Sequence, residues 1–426
     1  MSNDHDSFLE TLPTGWTFDR LKDVVALRND KTDNASAEED YLELEDLDSG
    51  TGRILNRRNT LEVESAVTLF KKGDVLFGKL RPYLEKYYQA EFDGKCTGEI
   101  LAFKPERIAS RFLFYSVGAR WFIERCNALA YGAKMPRVSW EKQLSQFDMP
   151  LPPFPEQERI ATYLDASWAA LDAAVTAKRR QLDTLDALRK TVIHHAVTRG
   201  LNPSVRMKRT DVEWIPGAPE HWRVVRVKDV MSFFNTIRVP LSAADRGVMT
   251  EKIYDYYGAS GVIDKVESYL FDGTYILIAE DGANLLSRTK PLAFLATGKF
   301  WVNNHAHILK PQWGGDDTFF VSLLESQDFS IFVTGAAQPK LTMENLGRFK
   351  LAVPRIGEQK AIAAFIREKD AELGALAKSI ETQIETLTAY RKSLIHECVT
   401  GQRRITEADV GQARALRGFD NKDSNG

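Results

Sequence analysis

The stretch LDALRKTVIHHAVT, residues 185–198, recurs near the end of the chain as LTAYRKSLIHECVT, residues 387–400, with 8 identities in 14 positions. Both stretches end longer segments in which apolar side chains recur at spacings of seven, four and three residues. That spacing places the apolar side chains along one side of an α-helix. The duplication therefore predicts two long amphipathic helices, and these helices decide the fold.

The two predicted helices span residues 156–200 and 358–402. Each would be roughly 60 Å long at about 1.5 Å per residue. Their apolar seams are formed by Leu164, Leu171, Val175, Leu182 and Leu185 in the first helix, and by Ile366, Leu373, Leu376, Ile380, Ile384 and Leu387 in the second. A single amphipathic helix of this length cannot bury its seam alone, so we expect the two to pair as an antiparallel coiled coil. The alternative is that each helix packs on its own domain.

Other segments repeat in the same order along the chain. The matching pairs are LPTGWTFDRLKDVV (12–25) with APEHWRVVRVKDVM (218–231), GAKMPRVSW (132–140) with GAAQPKLTM (335–343), and PEQERIATYL (155–164) with GEQKAIAAFI (357–366). Between these matches, residues 30–130 and 236–330 share almost nothing that can be aligned. The chain therefore carries two different inserts on one duplicated scaffold.

Each insert is predicted to be a mixed α/β domain, because strand-like runs such as DVLFGKL and TYILIAE are separated by glycine turns. The fold class is α+β: two globular α/β domains alternate with two long helices in an internal pseudo-two-fold repeat. The domains are placed at residues 1–155 and 201–357. The polar residues 403–426 are predicted to be a flexible tail.

Composition narrows the class of protein. No run among the 426 residues approaches the roughly 18–20 apolar residues that a membrane span needs. The acidic N-terminus lacks an apolar signal segment, and three scattered cysteines fit a reducing compartment, so a cytoplasmic protein without membrane contact is expected. The net charge of −2 hides an uneven distribution, with 4 basic and 14 acidic side chains in residues 1–49 but 17 basic and 11 acidic in residues 50–150.

The basic segment also contains many aromatic residues. Cations between residues 53 and 86 alternate with phenylalanine and tyrosine, a mixture that suits a surface facing phosphates. The alternative interpretation is a solvated sheet edge that carries lysine.

No catalytic constellation is evident in the sequence. Residues 151–154 read LPPF, which resembles the loop of amino-methyltransferases but has leucine where that loop needs a hydrogen-bond acceptor. No glycine-rich loop suited to S-adenosylmethionine and no nucleotide-triphosphate motif is found. His305 and His307 alternate along a predicted strand, but further metal ligands are missing. We therefore predict no catalytic residue and no metal site.

What remains are loops suited to binding. They combine small residues, which permit close approach, with long polar side chains able to reach guanine or adenine edges. The candidate DNA-binding residues are Lys79, Arg81, Tyr83, Lys86, Lys134, Arg137, Asn284, Arg288, Asn303, His305, Gln338 and Lys340. For the duplicated Gly-Ala-x-x-Pro segments, the alternative is a simple corner of the chain.

Taken together, these motifs resemble the DNA-specificity subunit of type I restriction-modification systems over nearly the whole chain. The resemblance rests on the duplicated Trp-x(5)-Lys-Asp-Val segments, on PEQERIA and GEQKAIA, on RKTVIHHAVT and RKSLIHECVT, and on GKLRPYLEK and TYILIAEDGANLL within the inserts. In the second copy, Gly357 stands before Glu-Gln where the family usually has proline.

The resemblance implies two target-recognition domains, each reading one half of a split sequence in double-stranded DNA. The paired helices would fix the gap and dock two modification (adenine methyltransferase) subunits, with restriction (endonuclease/translocase) subunits further out. S-adenosylmethionine and ATP would be bound by those partners and no cofactor by this chain. Two other interpretations stay open: a self-contained type II-like methyltransferase or nuclease, and a coiled-coil scaffold that binds only proteins.

Overall fold

The computed structural model describes residues 12–29, 31–32, 40–59, 67–335 and 338–419. The chain forms two compact units, one made of residues 1–179 with 381–426 and the other of residues 180–380. Each long helix contributes one half to each unit. No helix in the described ranges is long and apolar enough to cross a membrane.

The first unit is built around two sheets. Its elements are β1 (Thr17–Arg20), α1 (Leu21–Val24), β2 (Val25–Leu27), β3 (Lys31–Thr32), β4 (Asp40–Leu42), β5 (Arg58–Asn59), β6 (Val67–Phe70), β7 (Val75–Gly78), β8 (Tyr87–Gln89), β9 (Gly94–Cys96), β10 (Ile100–Pro105), α2 (Ser110–Gly118), α3 (Arg120–Leu129), β11 (Asp148–Leu151) and the start of α4 (Phe154–Arg199). The sheets have the strand orders β2-β10-β7-β8 and β3-β6-β9-β4-β5, and β1 pairs separately with β11.

The second unit is built around one larger sheet. Its elements are β12 (Met207–Val212), β13 (Ile215–Pro219), β14 (Arg223–Arg226), α5 (Val227–Val230), β15 (Met231–Phe233), α6 (Ala243–Gly247), β16 (Tyr254–Gly258), β17 (Gly261–Val266), β18 (Phe271–Ala279), α7 (Asn284–Ser287), β19 (Ala293–Val302), β20 (Ala306–Pro311), α8 (Asp317–Glu325), α9 (Met343–Arg348), β21 (Lys350–Val353) and the start of α10 (Ile356–Val399). The large sheet has the order β15-β20-β18-β19-β16-β17, while β12 pairs with β13 and β14 with β21.

The two units repeat the same strand pairing, even inside the inserts that the sequence could not align. Ile100 of β10 faces Gly78 of β7, and Ala306 of β20 faces Ala279 of β18 in the same antiparallel arrangement. The outer neighbours β2 and β15 pair with β10 and β20 in matching register. The inserts therefore share a four-stranded core, β2-β10-β7-β8 and β15-β20-β18-β19, and differ in what is added to it, a five-stranded sheet in one and the β16–β17 hairpin in the other.

The duplicated tryptophans close each unit onto the end of a long helix. Trp16 and Trp222 are both buried. Gly401 and Gly200 have φ values of 78° and 76°. A Cβ on Gly401 would lie 3.4 Å from Trp16, and one on Gly200 would lie 3.5 Å from Trp222. Glycine thus ends each helix with a left-handed residue, and the indole ring lies at van der Waals distance from it.

A buried glutamine ties the start of each long helix to its domain. Gln157 donates to the Pro152 carbonyl at 2.9 Å and accepts from the Ala109 amide at 2.7 Å. Gln359 likewise donates to the Pro354 carbonyl at 3.0 Å and accepts from the backbone amide that opens α8 at 3.3 Å. The repeated Glu-Gln motif therefore fixes the direction in which each helix leaves its domain.

Within each unit the two helix segments run antiparallel. In the first, Arg391 donates to Asp172 at 3.1 Å, and the Arg403 guanidinium lies over the Tyr163 ring. In the second, Arg189 and Asp370 are joined by hydrogen bonds of 2.8 and 3.2 Å. The helices begin at Phe154 and Ile356, two residues earlier than predicted.

The predicted seam is buried to different degrees along its length. Leu164, Ile366 and Ile380 are buried. The half-buried members are Leu171, Val175, Leu182, Leu185, Leu373, Ile384 and Leu387. Leu376 was assigned wrongly, since its side chain is 48% exposed. The half-buried neighbour Ala377 takes the seam position instead, as its alignment with Val175 indicates.

The segment after α10 was also predicted wrongly as far as residue 419, and residues 420–426 of the predicted tail lie outside the described ranges. Instead of a flexible tail, residues 407–419 form helix α11, in which Val410 and Ala413 are buried in the core of the first unit. Arg404, just before this helix, lies 3.0 Å from Glu156 at the start of α4. Arg159 of α4 also donates to the Ile405 carbonyl at 2.8 Å and lies 3.7 Å from Glu407, so apolar burial and polar contacts with α4 together hold a segment whose composition is mostly polar.

Candidate nucleic-acid interface

In the first unit, three loops meet beyond the adjoining ends of β7 and β10. The amide of Lys79 donates to the Glu99 carbonyl at 3.0 Å, and that of Arg81 donates to the Pro136 carbonyl at 2.7 Å. Arg137 exchanges backbone hydrogen bonds of 2.9 and 3.0 Å with Tyr131. The segments GKLRPYLEK and GAKMPRV, which the sequence identified separately, therefore form one surface.

The second unit builds the same arrangement from different residues. The Glu280 amide donates to the His305 carbonyl at 2.9 Å, and the Gly282 amide donates to the Pro339 carbonyl at 3.0 Å. Lys340 exchanges backbone hydrogen bonds of 2.8 and 2.9 Å with Thr334. These bonds match those of the first unit one by one.

The backbone bonds thus align the loops around Lys79 and Glu280 and those around Glu99 and His305, whose sequences do not align, and agree with the sequence match of residues 132–140 and 335–343. Lys79 corresponds to Glu280, Glu99 to His305, and Arg137 to Lys340. One backbone framework therefore presents a different set of charged side chains in each unit. This is the property expected of two readers with different specificities.

Arg137 is held by a carboxylate. Its Nε and Nη2 atoms donate to the two oxygens of Glu99 at 3.0 and 3.1 Å. These hydrogen bonds and the charge of Glu99 raise the pKa of the Arg137 guanidinium above its ordinary value. Both side chains stay about one-third exposed, at 34% and 31%. The pair is therefore both ordered and accessible.

Exposed side chains surround this pair. Arg81 donates to the Lys134 carbonyl at 3.4 Å, and both side chains are exposed. Tyr83 and Tyr131 are also exposed, at 53% and 55%. Arg81 has a φ of 52°, a conformation that costs energy for a residue with a side chain and that is concentrated at functional loops. Lys79 is half-buried.

The basic and aromatic segment as a whole does not form one exposed surface. Phe70, Phe77, Tyr87 and Tyr88 belong to the core. Several cations of this segment are occupied within the protein: Arg53 contacts Asp172, Arg58 contacts Glu43, Glu45 and Asp46, Lys71 contacts Asp93, and Lys86 donates to the Leu47 carbonyl. Arg53 and Lys71 nevertheless stay exposed, at 64% and 57%, so exposure alone does not single out the cations around Arg137.

In the second unit, Glu280 is the centre of a polar network. Arg238 donates to it at 2.5 Å, Lys340 lies 3.2 Å away and His307 lies 3.5 Å away. Burial opposes the ionisation of Glu280, but the hydrogen bonds from Arg238 and Lys340 and the charge of Arg238 keep its pKa below the ordinary value. The network anchors Lys340 while leaving its side chain half exposed.

The two histidines of the predicted strand have separate roles. His305 is accessible, and its Nδ1 lies 2.8 Å from Asp281. His307 is fully buried between Asn235 and the Leu341 carbonyl, each at 2.7 Å. Asn303 is buried too, and its side chain accepts from the His305 amide. Within the described ranges, no group of three or more ligating side chains is suited to a metal ion.

The remaining candidates differ in availability. Asn284 accepts from the Lys290 amide at 2.9 Å and so organises its own loop. Arg288 donates to the Gln327 carbonyl at 2.7 Å and contacts Glu325 at 3.2 Å. Gln338 is exposed, next to residues 336–337 outside the described ranges. Asn284 and Arg288 therefore serve structural purposes in this state.

A family model described as the type I restriction modification DNA specificity domain matches residues 13–182 and 219–386. The chain belongs to this family. The match covers both units and confirms the resemblance drawn from the duplicated motifs.

Specificity subunits from several organisms are similar to this chain. A putative subunit of Haemophilus influenzae, S.HindORF215P, is 29% identical over 38% of this chain and 38% of its own length. The EcoDI subunit of Escherichia coli is 25% identical over 48% of this chain and 46% of its own length. The chain thus spans less than half of these two relatives. The MjaVIII subunit of Methanocaldococcus jannaschii is 22% identical over 92% and 94%.

Solved structures of the family share the fold. One comes from a study of complex assembly and conformational transition of the type I R-M system. It has a TM-score of 0.71 and 18% identity, and the match covers 91% of this chain and 98% of that one. The HsdS subunit from Thermoanaerobacter tengcongensis has a TM-score of 0.50 and 17% sequence identity, and the match covers 92% of this chain and 98% of that one. These likenesses confirm the predicted α+β fold with two domains and long helices.

Sequence reasoning about this specificity-family chain missed the acidic partners. Glu99, Glu280 and Asp281 hold the cations and the histidine of the two loop clusters. None of these three acids was among the candidate DNA-binding residues. The signal available in the sequence was that the acids adjoin core strands, with Glu99 directly before β10 and Glu280 directly after β18. Charge counting had instead directed attention to basic residues.

Proposed function

We propose that this chain is the non-catalytic DNA-specificity subunit of a type I restriction-modification complex and that each unit reads one half of a bipartite target in double-stranded DNA. The observation that carries the proposal is the pair of equivalent loop clusters with different side chains. Identical clusters would read identical half-sites, whereas the positions of Arg137 and Glu99 in one unit are taken by Lys340 and His305 in the other.

Arg137, Lys340, His305 and Gln338 are the proposed base-reading residues, because they extend from the shared framework and remain accessible. Neighbouring cations and rings that solvent reaches set the register on the phosphates and sugars: Lys79, Arg81, Tyr83 and Lys134. Lys86, Asn284, Arg288 and Asn303 support the loops from within the protein.

The domain limits proposed from the sequence, 1–155 and 201–357 around two spacer helices, remain part of this proposal. The helices dock two modification subunits, which carry S-adenosylmethionine and methylate adenine, and the restriction subunits with ATP bind further out. This chain itself holds no cofactor. A cytoplasmic location follows, since DNA and the partner subunits are found there.

The proposal is tested with the chain co-expressed with its modification subunit. Sequencing of modified adenines in the host should give one split motif, and the complex should bind that motif with an affinity that falls steeply as salt rises. A chain that binds only proteins would give no salt-dependent DNA binding. A self-contained type II-like enzyme would methylate or cut DNA when the purified chain alone is given S-adenosylmethionine.

A further inference from the structure

The contact between Glu99 and Arg137 occupies one particular edge of the guanidinium. The carboxylate takes the edge formed by Nε and Nη2, with both of its oxygens. A guanidinium carries five N–H groups in a planar fork. The edge formed by Nη1 and the second hydrogen of Nη2 therefore stays free, and Nη1 has no partner among the described residues.

The free edge belongs to a partly exposed side chain on an ordered loop. The peptide of Arg137 is fixed on both sides by its bonds with Tyr131, and its side chain is one-third exposed. Exposed Arg81 and Lys134 lie on the neighbouring turns. The position thus combines a fixed backbone, a fixed side chain and nearby cations for phosphates, which are the conditions for direct reading of a base.

We propose that Arg137 recognises a guanine in the half-site of the first unit and that Glu99 is the positioning residue that aims it. This inference rests on the proposed function and adds to it the identity of the base and the role of Glu99. Two parallel N–H donors match the O6 and N7 acceptors of guanine in the major groove. Adenine offers N7 beside an amino donor, thymine a single acceptor and cytosine a donor, so the other bases cannot satisfy the fork.

The equivalent position in the second unit has a different chemistry. Lys340 is anchored by Glu280, but an ammonium group has three donors around a point and no planar fork. Because Lys340 belongs to the second unit, a change at Lys340 should leave the requirement for guanine in the half-site of the first unit untouched. This makes Lys340→Ala an internal control for Arg137 variants.

The test uses the complex of this chain with its modification subunits and duplexes that carry the motif mapped from modified adenines. Each guanine of the motif is replaced in turn by 7-deazaguanine, which lacks the N7 acceptor. At one guanine the replacement should weaken binding by wild type about tenfold, and binding by Arg137→Ala not at all. Arg137→Lys keeps the charge and should lose most of the preference for that guanine.

Glu99→Gln should relax the preference at the same guanine while overall DNA binding persists, and Glu106→Gln, which alters a surface pair with Lys104, should change nothing. A purely structural role for Glu99 would lower binding to all sequences alike. The inference is overturned if every 7-deazaguanine is tolerated by wild type, or if Arg137→Ala and Glu99→Gln leave the motif unchanged. Failure of the wild-type complex to bind any DNA would instead overturn the proposed function.

Discussion

Asp172 of α4 accepts a hydrogen bond from Nη1 of Arg391 of α10 at 3.1 Å, and both side chains are largely buried, at 21% and 12% exposure. Arg53 and the indole of Trp168 contact the same carboxylate. One acid therefore joins the first domain to both helices of its unit.

Replacing Asp172 by asparagine should destabilise the first unit by about 2 kcal/mol, because it leaves the Arg391 guanidinium, which is only 12% exposed, without its counter-charge. Hydrogen exchange of amides in the first unit measures the effect. The control is Glu106→Gln, which alters an exposed pair with Lys104 in the same unit and should cost less than about 0.5 kcal/mol. Equal effects of the two variants would contradict the assigned role of Asp172.

The buried glutamines at the helix starts give a second expectation. Gln157→Ala leaves the Pro152 carbonyl and the Ala109 amide without partners, at a cost of about 1–3 kcal/mol. Gln359→Ala should do the same in the second unit, with a smaller loss since one of its bonds is longer, at 3.3 Å. Hydrogen exchange in each unit separates the two effects. Glu158→Ala, on an exposed neighbouring position, serves as the control.

These contacts show which parts of the fold were accessible to sequence reasoning. Helix periodicity is local, so the two long helices followed from spacing, and their pairing followed from the apolar seams that neither helix can bury alone. The strand register that aligns the inserts is set by backbone hydrogen bonds, which leave no trace in residue identity. Helix α11 was missed because its burial depends on docking rather than composition.

The binding loops were partly predictable, because turns, like helix periodicity, are local features of the sequence. Glycine and proline marked the turns around Arg81 and Arg137. The acid that orients Arg137 lies 38 residues away in sequence, and only the fold brings the two together. The loss of Lys86, Asn284 and Arg288 to internal hydrogen bonds is likewise a tertiary effect.

The buried His307 predicts a pH dependence of stability in the second unit. Burial lowers its pKa from 6.5, because the charged ring would lose its hydration. Between the native pKa and 6.5 the unfolded chain binds a proton that the native chain does not. Stability should therefore fall as the pH decreases through 6.5, by at most about 1.4 kcal/mol per pH unit from this group.

The matched variant is His307→Leu, since the corresponding residue of the first unit is Leu101. It should be less stable at neutral pH, because Asn235 and the Leu341 carbonyl lose their partner. Its stability should also change less between about pH 7.5 and pH 5, which bracket the ordinary histidine pKa. Hydrogen exchange of β18 and β20 amides follows both effects, and an unchanged slope would argue against a neutral buried histidine.

The paired helices give a prediction about target spacing. Removing about two heptads from both α4 and α10 keeps the apolar seam in phase and should shorten the recognised spacer while both half-sites stay the same. Mapping of modified adenines reads out the motif. The control removes the same length from one helix alone, which should abolish assembly because the seams no longer match. Altered half-site bases would contradict the role of the helices as a spacer.

Lys79 and Arg81 test the contribution of phosphate contacts. Each variant, Lys79→Ala or Arg81→Ala, should weaken DNA binding by the complex and reduce the slope of log affinity against log salt by about 1, since one fewer counterion is released. The second half-site should remain specified, because its loop cluster is built from other residues. Lys104→Ala removes an exposed cation at the opposite end of β10, roughly 15–20 Å away at about 3.3 Å per residue, and should leave the slope unchanged. If Arg81→Ala changes neither affinity nor slope, the turn around Arg81 does not face the duplex.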